Sequence, residues 1–160
     1  MPTASLKRAR LDDAKLYGCR ASGASFDEAS MKDARFEKAE LDDCSFRGAS
    51  AVGAVWECAN LAKASFRGAD VTGAVFSGAL LAGADLGGAA ARGATFRGAD
   101  LTEAILDGAD LMQASFEGAC LRGASLRGAN AYQAEFRGAM VGRNDLESAL
   151  LPSTKLELEG

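Results

Sequence analysis

Residues 59–78 read ANLAKASFRGADVTGAVFSG, and the periodicity of that stretch decides the fold. Alanine stands at 59, 64, 69 and 74, and two places after each comes a larger apolar residue: Leu61, Phe66, Val71 and Phe76. A period of five fits neither the 3.6 of a helix nor the 2 of a strand, so the chain has to turn a corner once per repeat. Outward from this stretch the same register makes every fifth residue apolar from Leu6 to Leu156, with alanine two places earlier almost throughout. Of the 19 glycines, 16 fall two residues after an apolar centre, where a corner demands backbone freedom.

The large side chains fix the number of corners per coil. Every phenylalanine, and Trp56 with them, has a number ending in six, so aromatic centres recur on alternate repeats. A three-sided coil of 15 residues would stack large on small, whereas a four-sided coil of 20 keeps like over like. One wall then stacks Leu16, Phe36, Trp56, Phe76, Phe96, Phe116 and Phe136; the opposite wall stacks Leu6, Phe26, Phe46, Phe66, Leu86, Leu106 and Leu126. The walls between them carry smaller centres, including Ala51, Ala91 and Ala131. Dense packing of that lumen calls for this alternation of bulky and small layers. The expected architecture is an all-β solenoid of about eight coils, a rod on the order of 37 Å long at the roughly 4.8 Å spacing of paired strands.

The unbroken register leaves no linker, so residues 1–160 form one expected domain, with repeats over 4–151 and a C-terminal cap over 152–160. Near that end the pattern frays: Arg143 takes a glycine phase, Asn144 and Thr154 replace inward alanines, and Pro152 interrupts the ladder. Leu150, Leu151 and Leu156 would leave apolar surface there, a candidate end-to-end contact for a homodimer.

Composition argues against catalysis. The chain has no histidine, which removes the commonest general base and metal ligand. The carboxylate pairs Asp12-Asp13 and Asp42-Asp43 are 30 residues apart, hence on opposite walls of a square rod. Cys58 and Cys120 lie about three coils apart and form no metal pair, and there is no glycine-rich phosphate loop. No enzyme, cofactor or metal is expected. The four cysteines include no CxxC, and the N-terminus has charges from Lys7 onward and no apolar core, so a reduced, cytoplasmic protein is expected. The longest uncharged run, Val71 to Ala84, is too short to cross a bilayer. With the aromatics turned inward, no direct nucleic-acid binding is expected.

The segments Ala59-Asn60-Leu61, Ala84-Asp85-Leu86, Ala99-Asp100-Leu101 and Ala109-Asp110-Leu111 resemble the motif of the pentapeptide-repeat proteins, and variants of it run through residues 4–151. The resemblance implies a right-handed quadrilateral β-helix and a non-enzymatic binding module. Some relatives it brings to mind are topoisomerase inhibitors and quinolone-resistance proteins that imitate duplex DNA at gyrase. Such imitation needs an acidic surface, about twenty negative charges over a rod of this length, and this chain has a net charge of only −4. No wall carries a surplus of more than two charges of one sign. Vertical columns read Arg97, Glu117, Arg137, Glu157, then Lys7, Asp27, Arg47, and Asp107, Arg127, Glu147, alternations that cancel one another's field. The alanine-rich repeat style is also similar to segments of type VI secretion-associated proteins, which implies an adaptor that docks an effector.

What remains is surface recognition of a protein partner by a rigid scaffold. Between Arg67 and Arg92 only Asp70 and Asp85 are charged, and the candidate partner-binding residues there and one coil below are Val55, Val75 and Leu80.

Overall fold

The computed structural model describes residues 4–142, and its ladder has one rule: each outward residue before a centre pairs in parallel with the residue 20 positions later. Ser5 pairs with Ser25, Val55 with Val75 and Ser115 with Glu135. The same register holds in the short strands β1 (Cys120–Leu121) and β2 (Met140–Val141), where Cys120 faces Met140. One coil is therefore 20 residues and four repeats, the square expected from the aromatic spacing. We number the walls by their centres: the first contains Phe26 and Phe46, the second Met31 and Ala51, the third Phe36 and Trp56, the fourth Leu41 and Leu61.

Each repeat uses its backbone in a fixed way. The Leu6 amide donates to the Ser25 carbonyl at 2.7 Å, the Arg8 amide to Asp27 at 2.9 Å, and the Ser25 amide returns to Ala4 at 3.0 Å. The corner closes with the Ala9 amide on the Leu6 carbonyl at 3.1 Å, so four of five amides are satisfied by carbonyls. The fifth, on the residue after the centre, takes a side chain where an acceptor stands two residues before it. Asp70 accepts from the Thr72 amide at 3.1 Å, Asp85 from Gly87 at 2.8 Å, Asp100 from Thr102 at 3.0 Å, and Asn60 from Ala62 at 3.2 Å. This supplies the physical reason for Asp or Asn after alanine: a short acceptor two residues back reaches the one amide the coil leaves spare.

The third corner residue has positive φ, the arrangement of a type II turn, and glycine occupies it at positions such as Gly68 (φ 65°) and Gly98 (φ 62°). Among the described residues eleven non-glycine residues hold the same conformation, including Lys63 (φ 57°) and Cys58 (φ 56°).

Inside, the alanines and centres from Ala24 to Ala139 form one contiguous core, and among the described residues it contains no buried polar or charged residue. Rings stack along the third wall from Trp56 to Phe76 at 4.8 Å and from Phe96 to Phe116 at 4.9 Å, nearly parallel. Across the lumen the first wall meets them edge-on: Phe66 lies 5.4 Å from Trp56 at 81° and 5.6 Å from Phe76 at 88°. Such edge-to-face contacts add about 0.5–1.5 kcal/mol each to the burial of the rings. Cys44 is buried, and burial pushes its thiol up to about 11; Cys19, in the first coil, is only half-buried, and burial raises it too. The cap over 152–160 and the contact residues Leu150, Leu151 and Leu156 lie outside the described residues.

Candidate interaction surface

Because the inward positions are taken by the core, the rod meets other molecules with its walls or its ends. Each wall presents an outward side chain before the centre, one after it, and the corner residue. Val55 and Val75 are bridge partners on the third wall and are half-buried in their ladder. Around the corner, Val52 and Thr72 occupy the second wall, so that edge of the rod carries four uncharged residues, three of them valine. Leu80 stands on the fourth wall beside the next corner and is 50% exposed. The three expected partner residues thus divide into two patches. From Arg67 to Arg92 is 25 positions, more than one full coil, and the charge-poor belt of the sequence becomes a girdle around the rod.

Four other exposed apolar side chains escaped the sequence reading: Tyr17, Ile105, Tyr132 and Met140. Their signal was phase alone, a bulky apolar residue at an outward position, and it is masked wherever charged neighbours flank it, as Asp107 flanks Ile105. Arg35 lies over the Tyr17 ring, 5.1 Å from its centroid, and bonds to Glu37.

Charges are arranged to cancel. On the third wall Glu117 sits between Arg97, 3.5 Å away, and Arg137, and the hydrogen bond from Arg137 holds its carboxyl below the usual range. In the first two coils Lys7 pairs with Asp27 at 3.6 Å, Arg8 with Glu28 at 2.7 Å and Arg20 with Glu40 at 3.2 Å. Arg67 reaches diagonally to Asp85 at 3.4 Å.

Two expected columns behave differently from simple ion pairs. Asp27 accepts from the Ser45 hydroxyl and from the backbone amide of Arg47, while the Arg47 guanidinium turns up to Ser65 at 3.3 Å. Burial alone would raise the Asp27 carboxyl, but these donors hold it down. Asp107 repeats the arrangement with Ser125 and the Arg127 amide. Asp12 does so with Ser30 and the Lys32 amide, its carboxyl held low first by the serine hydroxyl. A carboxylate after the centre can therefore serve the spare amide of the coil above. Glu147 and Glu157, the remaining members of the alternating columns, lie outside the described residues.

Chemistry-bearing groups stay dispersed. Asp12-Asp13 falls on the second wall and Asp42-Asp43 on the fourth, so no joint acid–base pair forms. Among the described residues no three His, Cys, Asp or Glu side chains gather to hold a metal ion, and no helix is long and apolar enough to cross a membrane.

Comparison with known proteins matches this geometry. Two family models, both described as pentapeptide repeats, match residues 4–50 and residues 39–78, 79–118 and 109–141. No curated protein matches the chain significantly. Among solved structures, a trypsin-treated variant of QnrB1, described as a plasmid-mediated fluoroquinolone resistance protein, aligns with a TM-score of 0.65 and 24% identity over 98% of this chain and 77% of its own. Rfr23, a pentapeptide repeat protein of the cyanobacterium Cyanothece 51142, aligns with a TM-score of 0.57 and 19% identity over 81% of this chain and 88% of its own. Likeness at these identities concerns the fold. With 20-residue coils, corners at every fifth residue and family models spanning nearly all of the described rod, the chain belongs to the pentapeptide-repeat family and folds as its right-handed quadrilateral β-helix.

Proposed function

We propose that the protein is a non-enzymatic rigid scaffold that binds a protein partner through its walls, in a bacterial cytoplasm. The observation that carries this reading is the sorting of the chain: the core absorbs every aromatic centre, and the walls are left to display side chains at the fixed spacing of the ladder. The uncharged edge formed by Val52, Val55, Thr72 and Val75 is the primary contact, with Leu80 a second contact on the neighbouring wall. No direct nucleic-acid contact, membrane contact or cofactor enters this reading, and end-to-end dimerisation through Leu150, Leu151 and Leu156 is compatible with it.

Arginine is tolerated at these positions, because Arg35 already occupies the Val55 column and Arg20 the Leu80 column. Val75→Arg with Leu80→Arg should leave the far-ultraviolet spectrum and unfolding midpoint intact and abolish capture of a partner purified from the native host. Testing each substitution alone tells which wall is engaged. Unchanged capture by the double variant removes these residues from the site.

The likeness to QnrB1 raises drug-resistance activity at gyrase as a competing reading, and a type VI secretion adaptor is another. The alternating Arg97–Glu117–Arg137 column weakens the first, since it cancels the field that imitation of DNA requires. A supercoiling assay with and without a fluoroquinolone decides it: inhibition or drug protection by this protein would replace the scaffold reading.

A further inference from the structure

We propose that Ser65, Arg67 and Arg47 on the first wall form a carboxylate-binding cradle that receives an aspartate or glutamate side chain of the protein partner. The rod itself shows three times what such a cradle holds. Asp12 accepts from the Ser30 hydroxyl at 2.6 Å and from the Lys32 amide at 2.9 Å; Asp27 accepts in the same way from Ser45 and the Arg47 amide, and Asp107 from Ser125 and the Arg127 amide. Each set consists of a serine before a centre, the backbone amide after that centre, and an acid 20 positions below the amide. Ser65 and Arg67 repeat the first two parts on the wall that carries Ser45 and Ser125, but the residue 20 positions below is Arg47. The chain thus builds the donors of a carboxylate cradle and sets a cation where its own carboxylate would stand.

Arg47 donates from Nε to the Ser65 oxygen at 3.3 Å, which leaves the hydroxyl proton to be donated outward. Among the described residues no acceptor reaches the Arg67 amide and no carboxylate pairs with the Arg47 guanidinium. Arg67 reaches Asp85 at 3.4 Å, but its side chain stays 63% exposed, and Asp85 already accepts from the Gly87 amide at 2.8 Å. Below, Asp27 is held by Ser45, the Arg47 amide and Lys7. Arg47 and Arg67 therefore occupy consecutive rungs, whose backbones lie about 4.8 Å apart, as a like-charge step that costs stability. On the third wall, by contrast, Glu117 stands between Arg97 and Arg137. A carboxylate laid across the step would take the Ser65 hydroxyl and the Arg67 amide as Asp27 takes its own pair, with both guanidinium groups as counter-ions. The corners at Gly48 and Gly68 put no side chain in its path. That the acid comes from a protein rests on the scaffold reading: Arg47 and Arg67 stand one wall from Val52 and Thr72, so a partner seated on the uncharged edge lies beside the cradle.

Titration of the isotope-labelled full chain with the peptide acetyl-Asp-Glu-Asp-amide, followed by NMR of backbone amides and guanidinium groups, tests the cradle without the partner. Its failure is therefore distinct from failure of the Val75 and Leu80 capture assay. The peptide should shift the Arg67 amide and the Arg47 Nε–H saturably, and the uncharged analogue acetyl-Asn-Gln-Asn-amide should bind about tenfold more weakly or worse. The Arg127 amide, already served by Asp107, should stay still. Arg47→Asp should complete the cradle from within: peptide binding is lost, and the Arg67 amide proton moves downfield toward that of Arg127 with no peptide present. Aspartate already stands in this column at 27 and 107, so the substitution keeps the fold. Ser65→Ala, which removes one donor, should weaken the peptide several-fold at an unchanged unfolding midpoint. An Arg67 amide that does not respond, or responds equally to both peptides, overturns the proposal. So does peptide binding that survives Arg47→Asp, and so does tighter binding of inorganic phosphate than of the peptide, which would assign these donors to a phosphate ligand.

Discussion

Glycine at a corner such as Gly68 is a conformational choice and not a steric one. At Gly68 an added Cβ would meet nothing within 4 Å, yet φ there is 65°, a region where L side chains crowd their own carbonyl. Gly68→Ala should therefore cost about 1 kcal/mol through backbone strain alone, read from urea unfolding. Gly87→Ala acts by a different route: its φ is not left-handed, but the new methyl would meet the Arg67 guanidinium and the Asp85 carboxylate that accepts from the Gly87 amide, so its cost is the loss of that hydrogen bond, about 1–3 kcal/mol. Asp85→Ala should then remove most of the cost of Gly87→Ala and leave that of Gly68→Ala unchanged. In the lumen, the Trp56 indole N–H is buried without a partner, whereas the third-wall neighbours are phenylalanines. Trp56→Phe removes a polar group whose burial costs about 1–3 kcal/mol and loses packing volume of similar worth. It should lie within about 1 kcal/mol of wild type, while Trp56→Ala should lose about 3–5. The position of each such residue was legible in the sequence from phase alone; the stranded N–H was not, because only the folded lumen shows that nothing within reach can accept from it.

At the scale of the coil, side chains from neighbouring turns are coupled by two devices, the cross-coil ion pair and the carboxylate that serves a backbone amide. Glu117 combines opposite charges above and below, and removing its charge leaves Arg97 and Arg137 facing each other across an uncharged neighbour. Glu117→Gln should lower the unfolding midpoint at low ionic strength and leave it unchanged at molar salt, where exposed pairs are screened. The pH dependence has a definite sign. Glu117 and Asp12 both have folded values below their ordinary ones of 4.5 and 3.8, so their contribution is present above that range and is lost as pH falls through the depressed values. With no histidine in the chain, no side chain of that type titrates between pH 5 and 8, and stability should be flat there. The Glu117 substitution should flatten part of the acid limb; an unchanged limb would show that the ladder contributes nothing. The sequence made the ladder visible as alternation every 20 residues. It did not distinguish Glu117, which pairs with guanidinium groups, from Asp27 and Asp107, whose shorter side chains stay at the wall and reach the spare amide instead. The run from Arg67 to Arg92 winds round a coil shorter than itself, so of its expected contact residues Val75 stays on the Val55 column while Leu80 falls on the next wall.

Over the whole rod, a coil touches only the coils above and below it, so stability is a chain of nearest-neighbour terms and damage should stay local. Phe76 stacks on Trp56 at 4.8 Å and on Phe96 at 5.0 Å, and faces Phe66 across the lumen, so Phe76→Ala removes contacts in three coils at once. The lost burial and the cavity together cost about 3–5 kcal/mol. In a globular domain that loss would be shared by every amide that exchanges through global unfolding. In this solenoid it should appear in hydrogen exchange as a zone of weakened protection centred on residues 56–96, with the interface between its lower and upper halves no longer cooperative. Amides around Phe116 and Phe136, stacked on one another at 4.9 Å, should retain more of their protection. The first coil, with half-buried Leu6, Leu11 and Leu16, should be the least protected described part of the wild type and should respond little to the substitution. Uniform loss of protection from residue 4 to residue 142 would mean that the rod unfolds as one unit and that its coils are coupled far more strongly than neighbour contacts allow.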